Sequence, residues 1–463
     1  MDSGRIVMRV LICSEKAGRA GRWSRLVEYV GLAVPVADDP CQVMVRLAEA
    51  FGASDHVVYE NPPVWSFAAG CIAEVIVTAS RSVVRDGRGE RAVPRARRPL
   101  AEVPALLDDI SVSGWRAYGI AMSDLTQGGS AAAADGEALL MHLVVPRVEV
   151  RMAAGQATVR GITGDEARQA AEIIAAARPY PPCRPVSGGV EADEEAGADF
   201  RSLVRDAVQE IRDRGLQKVV LSRSVPIDAN VDLRGTFVAG RARHTPVRSF
   251  LLQLDGLAAA GFSPEIIAEV SGDGRVHTQP LAGTRALTAD DAERDERLRA
   301  ELLDDPKEVF EHAMAVRNSY RDMRAVCTPE SVAITDFMEI QRRGGVQHIG
   351  SRVTGRLAPR LSPWDAFSTL MPTLIGSPRP AAYELIRRYE KSPRGLYGGA
   401  VLTADSSGAL DAALAIRTVF QQHGRSWLRA GVGVVPQSTP ERECEETCEK
   451  LRSVASYLVE RTA

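Results

Sequence analysis

Cysteine is sparse: seven residues in a chain of 463, an odd number that does not form a disulfide framework. Cys13, Cys41, Cys71, Cys183 and Cys327 are scattered singly. Cys444 and Cys448 are four residues apart but lack the further Cys or His partners that zinc needs. They read as small core residues, and the pattern fits a reducing, cytoplasmic setting. Long hydrophobic runs are also missing. No stretch reaches the roughly 18 apolar residues of a membrane span. The opening Met1 to Cys13 reads as a short strand interrupted by Arg9, without a small-residue cleavage site, so no signal peptide is expected. Nor does charge of one sign dominate. A net charge of −3 sets up no field for nucleic acid or a membrane surface. The common nucleotide and hydrolase signatures, GxxxxGK[ST] and GxSxG, do not occur. Gly272–Gly274 and Gly431–Gly433 fall short of a dinucleotide fingerprint, and neither His312 nor His348 lies in an HExxH context. No repeat with a period of roughly 20 to 50 residues is visible.

The residues that are present describe a globular chain. Hydrophobic residues make up 45% and charged residues 25%, enough to bury a substantial core. Strand-like pieces occur at Ile72–Ala79, Leu139–Val145 and Val148–Met152. Between the first two, Ser80–Arg98 is rich in arginine and reads as a hydrated hairpin and loop rather than a patch for an anionic partner. Thr163–Ala177 has an N-cap threonine, early acids and an apolar stripe, and so predicts a helix. Tyr180–Asp199, with three prolines, paired glycines and an acidic run, reads as a linker or long surface crossing. A helix at Phe200–Arg214 is expected next, then strands at Lys218–Arg223, Val247–Leu254 and Ile266–Val270. Helix Pro306–Ala325 and a strand at Ser331–Ile334 follow. Ordered pieces at Pro363–Leu370, Leu414–Phe420 and Ser426–Val435 precede a last helix, Pro440–Glu460. Helices and strands interspersed in this way argue for a mixed α/β architecture.

Two of these helices carry paired acids. Glu443, Glu446 and Lys450 share one face of the last helix at spacings of three and four. Cys444, Cys448, Leu451, Ala455 and Leu458 form the stripe beside them that docks on a core. Glu308 and Glu311 repeat the pattern on the helix near 306–325. Four carboxylates on two helices could wall a site for a hard cation such as magnesium; acid pairs on a solvated face have the same spacing. Lys218 opens an apolar strand, where burial would favour its neutral, basic form. Glu265 lies at the mouth of another strand. Gly283 and Thr284 sit in a segment whose backbone could donate to an anion. Each has an ordinary structural explanation when taken alone.

Taken together, these segments resemble the chorismate-utilising enzymes, the family of anthranilate, aminodeoxychorismate, isochorismate and salicylate synthases. The resemblance is carried in order by Lys218-Val-Val-Leu-Ser-Arg223, Phe262-Ser-Pro-Glu265, Pro280-Leu-Ala-Gly-Thr-Arg285 and Lys307-Glu-Val-Phe-Glu-His312. It continues through Val346-Gln-His-Ile-Gly350, Pro393-Arg-Gly-Leu-Tyr-Gly-Gly399, Trp427-Leu-Arg-Ala-Gly-Val-Gly433 and Glu443-Cys-Glu-Glu-Thr-Cys-Glu-Lys450. It is strong from about 200 to 460 and weaker before that, at Val58-Tyr-Glu-Asn61 and Trp115-Arg-Ala-Tyr118. The family fold it implies is one large two-lobed α/β (α+β) unit of the anthranilate synthase component I type. Its sheets are rich in antiparallel pairs, with helices outside. Residues 1–190 would form the N-terminal lobe and 191–463 the chorismate-binding catalytic region.

Lys218 together with Ala282 looks like the branch that adds water rather than ammonia. Within that branch, Thr245–Leu254 and the final acid-rich motif most resemble siderophore-type salicylate synthases. By this resemblance Lys218 is the general base for water attacking carbon 2 of chorismate, and Glu265 is the acid for the hydroxyl leaving carbon 4. Mg2+ would be bound by Glu311 and Glu446, with Glu308 and Glu443 behind through water. Gly283 and Thr284 would contact the ring carboxylate, while Tyr397, Arg417, Gly431 and Gly433 would meet the enolpyruvyl carboxylate. Lys450 would balance the acids. His348 and Thr373 would stand beside the pyruvate-eliminating step that yields salicylate. A cytoplasmic monomer acting on this small molecule, without nucleic acid or membrane partners, is expected. Three departures bear on the second step: Gln279 where glutamate is common, and Ile375 and Arg379 in the loop 373–380. The alternatives are an isochorismate synthase that stops after hydration and a chorismate-binding protein that has lost catalysis.

Overall fold

The computed structural model describes residues 27–127, 138–176, 178–186, 197–287, 291–343 and 345–460. The strand expected at Met1–Cys13 lies outside them. Two eleven-stranded sheets dominate, each built wholly from antiparallel neighbours. Both sheets draw on residues before and after the 180–199 segment. In the first sheet His56–Asn61 pairs with Arg248–Leu254; in the second Arg116–Ala121 pairs with Ala400–Asp405. A three-stranded sheet, Leu281–Ala286, Val346–Gly350 and Glu339–Arg343, stands apart from them.

The inner faces meet in an apolar layer of Val57, Tyr59, Tyr118, Phe250, Leu252, Val401 and Phe420. Face-to-face packing of this kind fixes strand register, because a one-residue slip would turn the buried set outward. Helices cover the outer faces. Pro40–Ala50, Gly164–Ala175 and Leu233–Arg241 pack on the first sheet, and Pro363–Leu370 covers part of the second. The expected helix near 163 begins on Thr163, whose hydroxyl and Glu166 form a reciprocal capping box. The arginine-rich stretch is the expected hairpin, Arg81–Asp86 and Gly89–Pro94. Its guanidinium groups are taken up locally: Arg85 by Glu74 and Glu90, and Arg91 by Asp86 and Asp109.

Three expectations are corrected. The last helix ends at Ala455, because Val459–Glu460 turns away to pair with Arg184–Pro185. The same pairing pins one part of the expected linker. Ser331–Ile334 divides into a 3-10 turn, Pro329–Ser331, and a two-residue strand, Ala333–Ile334. The piece expected at Leu414–Phe420 is two strands. Leu410–Leu414 belongs to the second sheet and Thr418–Gln422 to the first. The chain crosses between them at Ala415–Arg417, with Arg417 at φ +53°, a conformation that non-glycine residues adopt at some cost.

Candidate active site

A partly enclosed pocket opens where the chain changes sheets. Ser263-Pro264-Glu265 carries it from the first sheet to the second, and Ala415–Arg417 carries it back. The crossings are tied together: Leu414 N donates to Glu265 O at 3.1 Å, and Phe262 N donates to Arg417 O at 3.1 Å. Glu265 and Arg417 therefore project from backbone that is braced but belongs to neither sheet. The strands Lys218–Ile227 and Arg425–Val434 form a third wall, and the two acid-bearing helices, Pro306–Val326 and Pro440–Ala455, close the base.

Of the fifteen candidate residues, thirteen line this one pocket: Lys218, Glu265, Gly283, Thr284, Glu311, His348, Thr373, Tyr397, Arg417, Gly431, Gly433, Glu446 and Lys450. Glu308 and Glu443 lie behind the wall and are fully buried. Residues spread over more than 230 positions of sequence are thus brought to one place.

Charges in the pocket are arranged in pairs, with two exceptions. Lys218 Nζ lies 3.0 Å from Glu311 Oε1 and Lys450 Nζ 2.7 Å from Glu446 Oε1. Lys450 also donates to Gly431 O at 2.9 Å. Glu265 is the first exception: burial pushes its carboxyl up to about 8, only partly opposed by Lys218. It is therefore protonated at neutral pH and can act as an acid.

Arg417 is the second exception. Its guanidinium is buried and makes no ion pair with any described residue. Burial lowers its pKa to about 10, which still leaves it charged. Its neighbour is His348, whose Nε2 lies 2.8 Å from Arg417 Nη2. An arginine only donates, so Nε2 accepts, and the ring proton sits on Nδ1. That atom faces Thr284 Oγ1 at 3.1 Å and Gly283 O at 3.3 Å. Burial and then Arg417 hold His348 well below the usual histidine range. The expected role of His348 beside the second step thus meets a neutral ring that orients Arg417. Thr373 Oγ1 is buried and has no hydrogen-bond partner among the described residues.

The acids behave differently from one another. Burial raises Glu443 to about 7 against the pull of Lys307. For Glu446 burial is overcome by Lys450 and Lys307, which hold it below the usual carboxylate range. Among the described residues no three acidic, His or Cys side chains converge on a point where they could hold a metal as they stand. The donor set nevertheless suits a hard cation. Glu308 Oε2 and Glu446 Oε2 are buried and accept no hydrogen bond from any described residue, and oxygen donors are what magnesium takes.

Two glycines have a specific use. A Cβ at Gly433 would come within 2.1 Å of Glu311 Oε1 and 2.5 Å of Lys218 Cε. One at Gly431 would come within 2.8 Å of the Tyr397 hydroxyl. Close approach is therefore needed by the protein's own Lys218–Glu311 pair and by Tyr397. Gly433→Ala is expected to separate that pair and lower kcat/KM by about 10²-fold, as a displacement of about 1 Å in a catalytic group does. Steady-state kinetics beside an unchanged circular dichroism spectrum would check it.

Several lining residues were not among the candidates. Asn318, Ser319 and Asp322 extend the acid stripe of the helix Pro306–Val326 along the pocket. The spacing 308, 311, 315, 318, 322 was a signal for Asn318 and Asp322. Arg379 forms an ion pair with Asp322. Arg429 lies over the Tyr397 ring at 5.6 Å and shares Glu390 with Arg394. Of the departures noted above, Ile375 is buried among apolar neighbours, and Gln279 lines no part of the pocket but keeps a buried Oε1 without a partner among the described residues.

A protonated buried acid, a paired lysine and an unpaired guanidinium in one cleft define an enzyme for a small anionic molecule. The chain belongs to the chorismate binding enzyme family, which it matches over residues 55–456. It is 36% identical over 460 residues to a salicylate synthase of Mycolicibacterium paratuberculosis, covering 94% of this chain and 97% of that one. It is 37% identical to an anthranilate synthase component 1 of Haloferax volcanii, over 64% of this chain and 56% of the other. The fold matches that of the menaquinone-specific isochorismate synthase of Escherichia coli with a TM-score of 0.67. Identity there is 21%, with 92% of this chain and 94% of the other covered. No helix among the described residues is long and apolar enough to cross a membrane.

Proposed function

We propose that the protein converts chorismate to isochorismate and then, in the same pocket, to salicylate and pyruvate. The observation that carries this reading is the buried Arg417, a guanidinium with no carboxylate partner among the described residues, in the same pocket as Glu265, whose carboxyl burial pushes up to about 8. A planar guanidinium suits a carboxylate, and the enolpyruvyl group supplies one beside Tyr397. Lys218 acts in its neutral form, after its pair with Glu311 has opened and the ammonium proton has left to solvent, and takes a proton from the water that attacks carbon 2. Glu265 gives its proton to the hydroxyl leaving carbon 4, so one water enters and one departs. The hydrogen on carbon 2 then passes to the enolpyruvyl methylene as the carbon 3–oxygen bond breaks, releasing pyruvate. That step depends on positioning and exclusion of bulk water, which the enclosed walls and Thr373 provide.

Glu311 and Glu446 would hold magnesium, with Glu308 and Glu443 behind them. The ion would neutralise the ring carboxylate near Gly283 and Thr284. Similarity over nearly the whole length of a salicylate synthase supports the bifunctional reading. Its setting is cytoplasmic, and a single chain supplies every residue named.

The test is incubation of purified protein with chorismate and Mg2+, with products resolved by chromatography. Salicylate and pyruvate together are expected. Isochorismate alone would mean that the reaction stops after hydration, and saturable binding without turnover would mean a binding protein. Excess EDTA should stop turnover, and Mg2+ should restore it; undiminished activity under EDTA would remove the metal from the account.

A further inference from the structure

Three of the four acids on the two helices already enclose a cation that belongs to the chain. Lys307 Nζ lies 3.0 Å from Glu443 Oε1, 3.2 Å from Glu311 Oε2 and 3.4 Å from Glu308 Oε1. Only 12% of its side chain is exposed. Glu308 and Glu311 stand on one helix and Glu443 on the other, so a single ammonium links both. Carboxylates buried together without counter-charge would be costly. The cluster also keeps capacity to spare, because Glu308 Oε2 and Glu446 Oε2 accept no hydrogen bond from any described residue.

We propose that Lys307 is the resident counter-cation of this cluster. It joins the two helices when no divalent ion is bound and sets how tightly one binds. The inference rests on the magnesium reading above. An ion entering the cluster meets the ammonium as a like charge at short range, where the low dielectric of the interior leaves repulsion poorly screened. The acids therefore bind the ion more weakly than they would alone. In exchange, the ion-free protein keeps its acid walls in place rather than splayed.

The test compares the full-length wild type with Lys307→Met and Lys307→Arg by calorimetric titration with Mn2+ and by thermal unfolding in EDTA and in saturating Mn2+. Lys307→Met should bind Mn2+ at least about tenfold more tightly, because the repelling charge is gone. It should unfold below wild type in EDTA and recover most of the difference with Mn2+, since a ligand stabilises the state it binds. Lys307→Arg, which keeps the charge, should stay near wild type in both. If neither wild type nor Lys307→Met binds Mn2+, the magnesium reading falls and this inference with it. If wild type binds the ion and Lys307→Met binds it no more tightly, only the counter-cation role falls. Should Lys307→Met not fold in EDTA, folding rescued by Mn2+ supports the role. Should it not fold in either condition, Lys307→Gln takes its place, and failure of both with Mn2+ present contradicts the exchange of ammonium for metal ion.

Discussion

Lys218→Ala should lower the rate of chorismate conversion by about 10²–10⁴-fold, the usual contribution of a positioned general base. The side chain is half of a pocket ion pair with Glu311, and it opens a strand held on both sides by Val434 and Gly376 at the next position. The backbone has no need of the ammonium, so the variant should fold. Saturable binding of chorismate should survive, because Arg417 and Tyr397 are untouched. Isochorismate supplied directly should still be converted, since pyruvate loss uses no proton held by Lys218. The expected signature is therefore loss of the first step with the second preserved. Normal isochorismate formation by the variant would remove Lys218 from its role.

Glu265→Gln should have an effect of the same size and change the pH profile as well. The carboxyl is raised to about 8, chiefly by burial. An acid works only while protonated, so the limb that belongs to Glu265 should make kcat/KM fall above about pH 8. Glutamine is close in shape but has no acidic proton, so the residual rate of Glu265→Gln should lack this descending limb. The same shift has a consequence for stability. The folded carboxyl holds its proton above the unfolded value of 4.5, so the folded state binds more protons between that value and about 8. Its contribution to stability is thus complete at low pH and lost as pH rises through that window. A wild-type profile that rises above pH 8, or a variant that keeps the limb, would assign the titration to another group.

Much of this site was legible because its chemistry is carried by short motifs in fixed order. Lys218, Glu265 and the Glu308/Glu311 and Glu443/Glu446 pairs each sit in such a motif, and helical spacing put each pair on one face. The sequence was silent on what the three-dimensional crossing points do. Arg417 lies in a run that reads as one strand, yet it is the residue where the chain leaves one sheet for the other. Periodicity of two does not reveal a change of sheet, because both sheets bury the same apolar types. His348 was legible as a site residue, but its proton could be placed only once Arg417 was seen to donate to it.

Lys307 shows a different limit. It stands beside Glu308 and four residues before Glu311, a spacing that ordinary surface ion pairs also use. Its third partner, Glu443, is on a helix more than 130 residues away, and no local pattern announces that meeting. The end of the last helix was misplaced for a similar reason. Val459–Glu460 continues an acceptable helical pattern, but it gains backbone partners at Arg184–Pro185, and tertiary pairing outweighs propensity.

The central claim is that water is added to chorismate and stays on the ring through to the second product. Turnover in water enriched in oxygen-18, with the products read by mass spectrometry, tests this most directly. The account predicts salicylate carrying one heavy oxygen on its phenolic hydroxyl, with pyruvate formed in equal amount. Salicylate bearing no label, or labelled isochorismate accumulating without salicylate, would contradict it.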